Sequence, residues 1–298
     1  MIALRALETA HPGASPRGDL LFELIAAQAF DALSQELTAW PKPGLVSHVD
    51  AGSHHDMDAA LLQRSAEALR PFFAELALAG WQRSGMGRLR AIGLRAEAAM
   101  LTATGGVNTH RGAIFGLGLL CAAAGITARV SADGAVFSPA KLGVIVVRYW
   151  GNEIRRGPIP LHSHGSAALR RHGAGGARAE AAAGFPSIYD IGLPALRLGP
   201  ALALQDAGAA PVQACFALIA AVRDTNLLHR GGVDGARYAA EAAASFLSAG
   251  GVGARDWRVR AATVHQSFVA RHLSPGGCAD LLAMTLFVDA LETGSSWR

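Results

Sequence analysis

The sequence predicts an all-α fold, a single multi-helix domain with buried Ala/Gly-rich helices, and three observations carry that prediction. The chain has 298 residues, 51% apolar and 17% charged, which is enough to build a large core and too apolar for disorder. Most of its length falls into segments of helical size with apolar positions three and four apart. Strand signals are confined to GVIVVRYW (143–150), whose β-branched run follows a Ser138-Pro139 helix start and therefore reads as helix.

In chain order, residues 1–19 carry Glu8 and Asp19 and no apolar core of signal length, so they read as a flexible leader before a domain spanning 20–298. The first helix is expected over 20–40. A proline-stiffened loop then leads to Asp56 and Asp58, which open a helix over 56–79 with a kink expected at Pro71. The helix over 89–104 stops at Gly105-Gly106, because glycine takes left-handed backbone angles without strain, and Asn108 or Thr109 caps the next one, 109–123. After 139–154, the glycine-rich GSAALRRHGAGGARAEAAAGFP (165–186) breaks the packing around one short helix, and a division into two domains would fall there. Ala210-Pro211 opens a helix over 211–230 that Gly231-Gly232 terminates; 234–248, 257–272 and 278–291 complete the set. No internal repeat is present, so one domain is the expectation.

The bulk numbers also exclude classes of function. Mean hydropathy is +0.26, yet the longest charge-free runs, 112–128 and 207–222, fall short of about 20 apolar residues, and the second holds Pro211 and Gln213. No membrane partner is expected. Cys121, Cys215 and Cys278 are odd in number and set among apolar residues, which suits reduced thiols in the cytoplasm. A net charge of +4 and a pI near 9.3 favour anionic ligands, but no zinc-finger spacing, aromatic RNA-binding box or basic-region helix appears. A phosphate-rich small molecule is therefore the expected ligand, with no nucleic acid. The pairs His54-His55 and His162/His164 lack the spacing of a zinc site.

Four stretches could carry chemistry. In GGVNTHRG (105–112) a glycine reversal exposes a helix N-terminus whose free N–H groups and dipole attract anions. Gly105, Gly106, Asn108, Thr109 and Arg111 are its candidate binding residues, and His110 a candidate acid; a glycine-terminated helix followed by a capped one reads the same. Glu97 falls on a helical wheel among Gly93, Leu94, Met100 and Leu101, so it either faces the core and needs a reason, or reaches an arginine from the stripe's edge. In RDTNLLHRGG (223–232), Asp224 points with Leu227 and Leu228 while Asn226, His229 and Arg230 share another face, as in a pocket floor; Arg and His are also ordinary dipole partners near a helix end. The loop PKPGLVSHVDAGSHHDMD (41–58) supplies Gly44 and Lys42, one of two lysines in a chain that otherwise uses arginine, and Asp56 and Asp58, which suit either Mg²⁺ or helix capping. LSPGGCADLLAMT (273–285) offers Ser274, Gly276 and Gly277 as a second anion-accepting helix start.

Together with GARAEAAAGFP (176–186), these blocks occur in an order that resembles the triphosphoribosyl-dephospho-CoA synthases, specifically the branch serving malonate decarboxylase. The resemblance implies an all-α catalytic domain that joins ATP to 3′-dephospho-CoA and expels adenine, its product passing to a carrier-protein holo-synthase. It implies Mg²⁺ with ATP, held by Asp56 and Asp58, and allows a homodimer. On that reading Glu97 and Asp224 serve as base and cation stabiliser, His110 or His229 protonates adenine, and Lys42, Arg111, Arg230 and the helix starts hold phosphates. The citrate lyase systems use similar enzymes. A Mg²⁺-dependent phosphotransferase, an ADP-ribosyl hydrolase and a non-enzymatic dephospho-CoA-binding factor are the alternatives.

Overall fold

A computed structural model describes residues 16–132, 142–157, 174–204, 206 and 208–294. Among them are eleven α-helices and no strand. They are α1 (Pro16–Thr38), α2 (Ala59–Trp81), α3 (Met86–Ala103), α4 (Arg111–Ala132), α5 (Leu142–Arg156), α6 (Gly176–Ala182), α7 (Leu193–Leu202), α8 (Ala209–Ala221), α9 (Thr225–Ser248), α10 (Trp257–Ala270) and α11 (Gly276–Thr293).

Helix α4 is the axis of the molecule. Ala113, Leu117, Leu120, Cys121 and Ala124 are all fully buried, and no face of the helix is polar beyond its first turn, because α1, α2, α3, α5 and α11 cover it. Of the described helices it alone is long and apolar enough to cross a membrane, yet 83% of that stretch is buried inside the protein. Its closest neighbour, α2, is admitted by glycine: a Cβ on Gly80 would stand 1.8 Å from the Ala122 carbonyl oxygen, and one on Gly125 1.9 Å from that of Ala77. Backbone meets backbone at this crossing, so the small residues are a packing requirement.

The predicted helices are present, GVIVVRYW among them, with some departures. Helix α2 runs through Pro71 as one element. The run GVIVVRYW lies in α5, where Val146, Trp150 and Ile154 bury one face at helical spacing; the predicted start at 139–141 lies outside the described residues. Helix α7 has no counterpart in the prediction, since Pro194, Gly199 and Pro200 interrupt its pattern, but proline is tolerated in its first turn and Leu193 and Leu196 are buried.

The last departure matters most. The predicted helix 211–230 is two helices, because the chain turns extended at Val222 (φ −88°, ψ 136°) and Asp224 (φ −70°, ψ 123°) before α9 begins. An aspartate beside the backbone amides it can accept from competes with helix and starts a new one. The expected break at Gly231-Gly232 is present: Gly232 takes non-helical angles (φ 62°, ψ −161°), a kink that divides α9 into two helical segments, the second running to Ser248. Residues 1–15 of the expected leader, residues 158–164 and the first part of the glycine-rich segment, 165–173, lie outside the described residues; the rest of that segment forms α6 and reverses at Phe185 (φ 61°).

Candidate active site

The split between α8 and α9 places Asp224 at the start of a helix, and its carboxylate is consumed there. Oδ1 accepts from Asn226 N at 2.7 Å and Leu227 N at 3.1 Å; Oδ2 accepts from Cys278 N in the first turn of α11 at 2.8 Å. The Cys278 thiol donates to it as well. One buried carboxylate thus staples two helix N-termini together. Close approach depends on glycine, since the nearest Asp224 oxygen would stand 3.0 Å from a Cβ at Gly277 and Asn226 Nδ2 2.6 Å from one at Gly276. Burial raises the Asp224 carboxyl above the ordinary carboxylate range, opposed by the amides that bind it.

A second carboxylate repeats the arrangement one turn into α11. Asp280 accepts from Ala113 N in the first turn of α4, and its Oδ2 lies where a Cβ on Gly112 would be, 1.9 Å away. Burial, then the charges of Asp224 and Glu36, push its carboxyl well above the usual range. As a whole residue Asp280 is half-buried, whereas Asp224 is buried. The starts of α4, α9 and α11 therefore converge on a pair of carboxylates, where GGVNTHRG, DTN and SPGG meet.

This narrows the expectation of open anion sites at Thr109 and Gly276. The amides of Ala113 and Cys278 are taken by Asp280 and Asp224, and Arg111 N is taken by Asn108 Oδ1 at 3.3 Å. Asn108, Gly105, Gly106 and Arg111 are exposed at the rim. Glu97 does not face the core: the buried stripe of α3 is Leu89, Ile92, Ala96 and Met100, and Glu97 at its edge pairs with the Arg111 guanidinium.

Lys42 also departs from its expected role. It is fully buried, and its ammonium donates to the carboxylate and backbone carbonyl of Glu36, so it holds the 41–58 loop to α1 and is unavailable to a phosphate. His265, buried on α10 and missed in the sequence, bonds the Lys42 carbonyl through Nδ1 at 2.6 Å and lies 3.1 Å from Asp50 through Nε2. Gly44 (φ 66°) fits against the Leu273 carbonyl, where a Cβ would stand 2.0 Å away. Arg230 fastens the same loop, donating to Ser53 O at 3.1 Å, His272 O at 3.3 Å and His54 Nδ1 at 3.2 Å. His54 Nε2 in turn bonds Ser274 Oγ at 2.8 Å.

Asp58 caps α2, its Oδ1 accepting from Leu61 N at 2.8 Å, and Asp56 is exposed beside His54. Among the described residues no three His, Cys, Asp or Glu come together as a metal cage, and Asp58 is engaged as the α2 cap.

His110 and His229 separate clearly. His229 is exposed on α9. His110 is buried in a chain of hydroxyls: Thr109 Oγ1 donates to Ser65 Oγ at 2.7 Å, and Ser65 Oγ is hydrogen-bonded to His110 Nδ1 at 2.7 Å. Burial lowers its pKa from 6.5 to about 4, so it is neutral at pH 7. Between those values the unfolded chain binds more protons than the folded one, so stability is complete above pH 6.5 and is lost as pH falls toward 4. The expected loss attributable to this ring is about 2 kcal/mol at pH 5. Urea unfolding of wild type and His110→Gln at pH 7 and 5 checks it; identical changes in the two proteins would show that the ring is not the titrating group.

The fold and candidate site define, among the described residues, an all-helical protein in which two carboxylates bind the starts of three helices. Residues 22–298 match the CitG family, ATP:dephospho-CoA triphosphoribosyl transferase, and the chain belongs to that family. It is similar to proteins described as probable 2-(5''-triphosphoribosyl)-3'-dephosphocoenzyme-A synthases. One from Acinetobacter calcoaceticus is 37% identical over 88% of both chains. One from Azotobacter vinelandii is 39% identical over 91% of this chain and 92% of its own. One from Pseudomonas fluorescens (strain Pf0-1) is 39% identical over 93% and 94%. No solved structure matches.

Proposed function

We propose that the protein joins ATP to 3′-dephospho-CoA, forming 2′-(5″-triphosphoribosyl)-3′-dephospho-CoA and releasing adenine. The observation that carries this reading is the convergence of the starts of α4, α9 and α11 on two carboxylates, in a chain that belongs to this transferase family. The reaction breaks the bond between ribose C1′ and adenine N9 and forms one from C1′ to the 2′-oxygen of dephospho-CoA; the hydroxyl proton is balanced by the one adenine gains. Positive charge develops at C1′, and fixed carboxylates in a poorly solvated site stabilise it. The triphosphate is untouched, so its charge calls only for recognition. Arg111, next to the Gly112 that meets Asp280, and Arg230 are exposed and are the candidates for that recognition.

Mg²⁺ enters as part of the MgATP substrate, with its ligands mostly phosphate oxygens and water. His229 is better suited than neutral His110 to give adenine its proton. The order of the sequence blocks supports the branch serving malonate decarboxylase, with the product passed to a carrier-protein holo-synthase. Three buried free thiols suit a reducing cytoplasm, and a homodimer can be tested by sedimentation.

Incubation with MgATP and dephospho-CoA should release adenine and adduct in equal amounts by chromatography. CoA should react poorly, because its 3′-phosphate crowds the neighbouring hydroxyl. ADP or AMP as the stoichiometric product would overturn the assignment.

A further inference from the structure

The two buried carboxylates are chemically unequal. Asp224 accepts three backbone amides and a thiol, which occupies both lone-pair directions of each oxygen. A proton could bind it only by displacing a hydrogen bond that holds α9 to α11. Asp280 has one backbone donor, Ala113 N, and retains acceptor capacity on a residue that is only half-buried. It lies against Gly112 of the GGVNTHRG block, within the charge field of Asp224, so it faces the place where the blocks of the site converge. The glycine is itself informative, because any larger residue at 112 would strike the Asp280 carboxylate.

Resting on the proposed transferase reaction, we infer that Asp280 is the base that takes the 2′-hydroxyl proton of dephospho-CoA, while Asp224 is its fixed electrostatic and structural partner. As the oxygen attacks C1′, its proton passes to an Asp280 oxygen, the C1′–N9 electrons leave with adenine, and adenine gains a proton. Asp280 then returns its proton to solvent. Nothing is oxidised or reduced. The groups facing Asp280 are Glu36 of α1, Asp224 before α9 and the amide end of α4; the like charges and burial raise its affinity for a proton, as a base requires.

A group that merely capped α4 would be missed through stability. A base is missed through rate. Asp280→Asn keeps an oxygen for Ala113 N and removes a carboxylate that Asp224 and Glu36 oppose, so its melting temperature should equal or exceed that of wild type. Its kcat should fall about a hundred- to ten-thousand-fold with little change in the KM for dephospho-CoA. Gly112→Ala, with Asp280 intact, should also lower kcat by displacing the carboxylate, and it keeps the proposal testable if the asparagine variant does not fold. Wild-type kcat in either folded variant would overturn the assignment, as would a lower melting temperature in Asp280→Asn with normal turnover per folded molecule. Failure of wild type to release adenine would instead overturn the reaction itself.

Discussion

Asp224→Ala should lose about 3–5 kcal/mol of folding stability, among the largest effects of any single substitution in the chain. The side chain is 3% exposed, and removing it orphans the amides of Asn226, Leu227 and Cys278, each worth about 1–3 kcal/mol when left buried and unpaired. The relief of no longer burying a carboxylate offsets part of that sum. Asp224→Asn should fall between wild type and alanine: one oxygen still accepts from α9, but an amide N–H now opposes Cys278 N–H. Urea unfolding of the three proteins orders them. Wild-type stability in Asp224→Ala would mean that the amides find water or another acceptor, and that the staple between α9 and α11 is not needed. Asp224 and Asp280 therefore separate experimentally, the first failing by unfolding and the second by slow turnover.

The fold was largely legible because most of its helices are amphipathic or buried all round, and apolar spacing reports both. What was not legible is local. Helix α7 contains prolines and glycine that cancel its signal in a linear reading, although its first-turn proline leaves no intrahelical hydrogen bond unmade. The boundary at Asp224 was hidden because Asp-Thr-Asn after an apolar helix reads equally as a polar end and as a new start. Only the side chain's bonds to Asn226 and Leu227 decide between them.

The site was legible as a set of blocks more than as a set of roles. GGVNTHRG, RDTNLLHRGG and LSPGGCAD do meet, and two of their polar members, Asp224 and His110, are buried as inward-facing polar groups. Glu97 misled because a wheel gives a direction without a neighbour: Leu94, counted as part of its apolar stripe, is 61% exposed, and Arg111 lies within reach across the α3–α4 turn. Asp280 escaped notice although an acid one turn into the otherwise apolar GGCADLLAMTLF was a signal, since an acid near a helix start is ordinarily a dipole partner. His265 carried no signal, because nothing in sequence brings α10 to the 41–58 loop.

Lys42 gives the second large effect. Methionine at this position should cost about 3–5 kcal/mol, because a buried ion pair broken on one side leaves an uncompensated charge. That charge, Glu36, already acts on Asp280, so the unpaired carboxylate adds to an acidic interior. A domain stable by about 5–15 kcal/mol would lose much of its margin. Lys42→Met with Glu36→Gln should recover most of the loss, since the cost lies in the unpaired carboxylate and not in the absent ammonium. The double variant also tests the lysine's function. If Lys42 only joins the loop to α1, the folded double variant should bind MgATP with a KM within about threefold of wild type, reflecting less than about 1 kcal/mol of altered recognition. A lysine that contacts the triphosphate would be missed whatever happens at Glu36, and the KM for ATP would rise tens-fold even in the restored fold. That result would require the buried ammonium to leave Glu36 and reach the nucleotide when substrate binds.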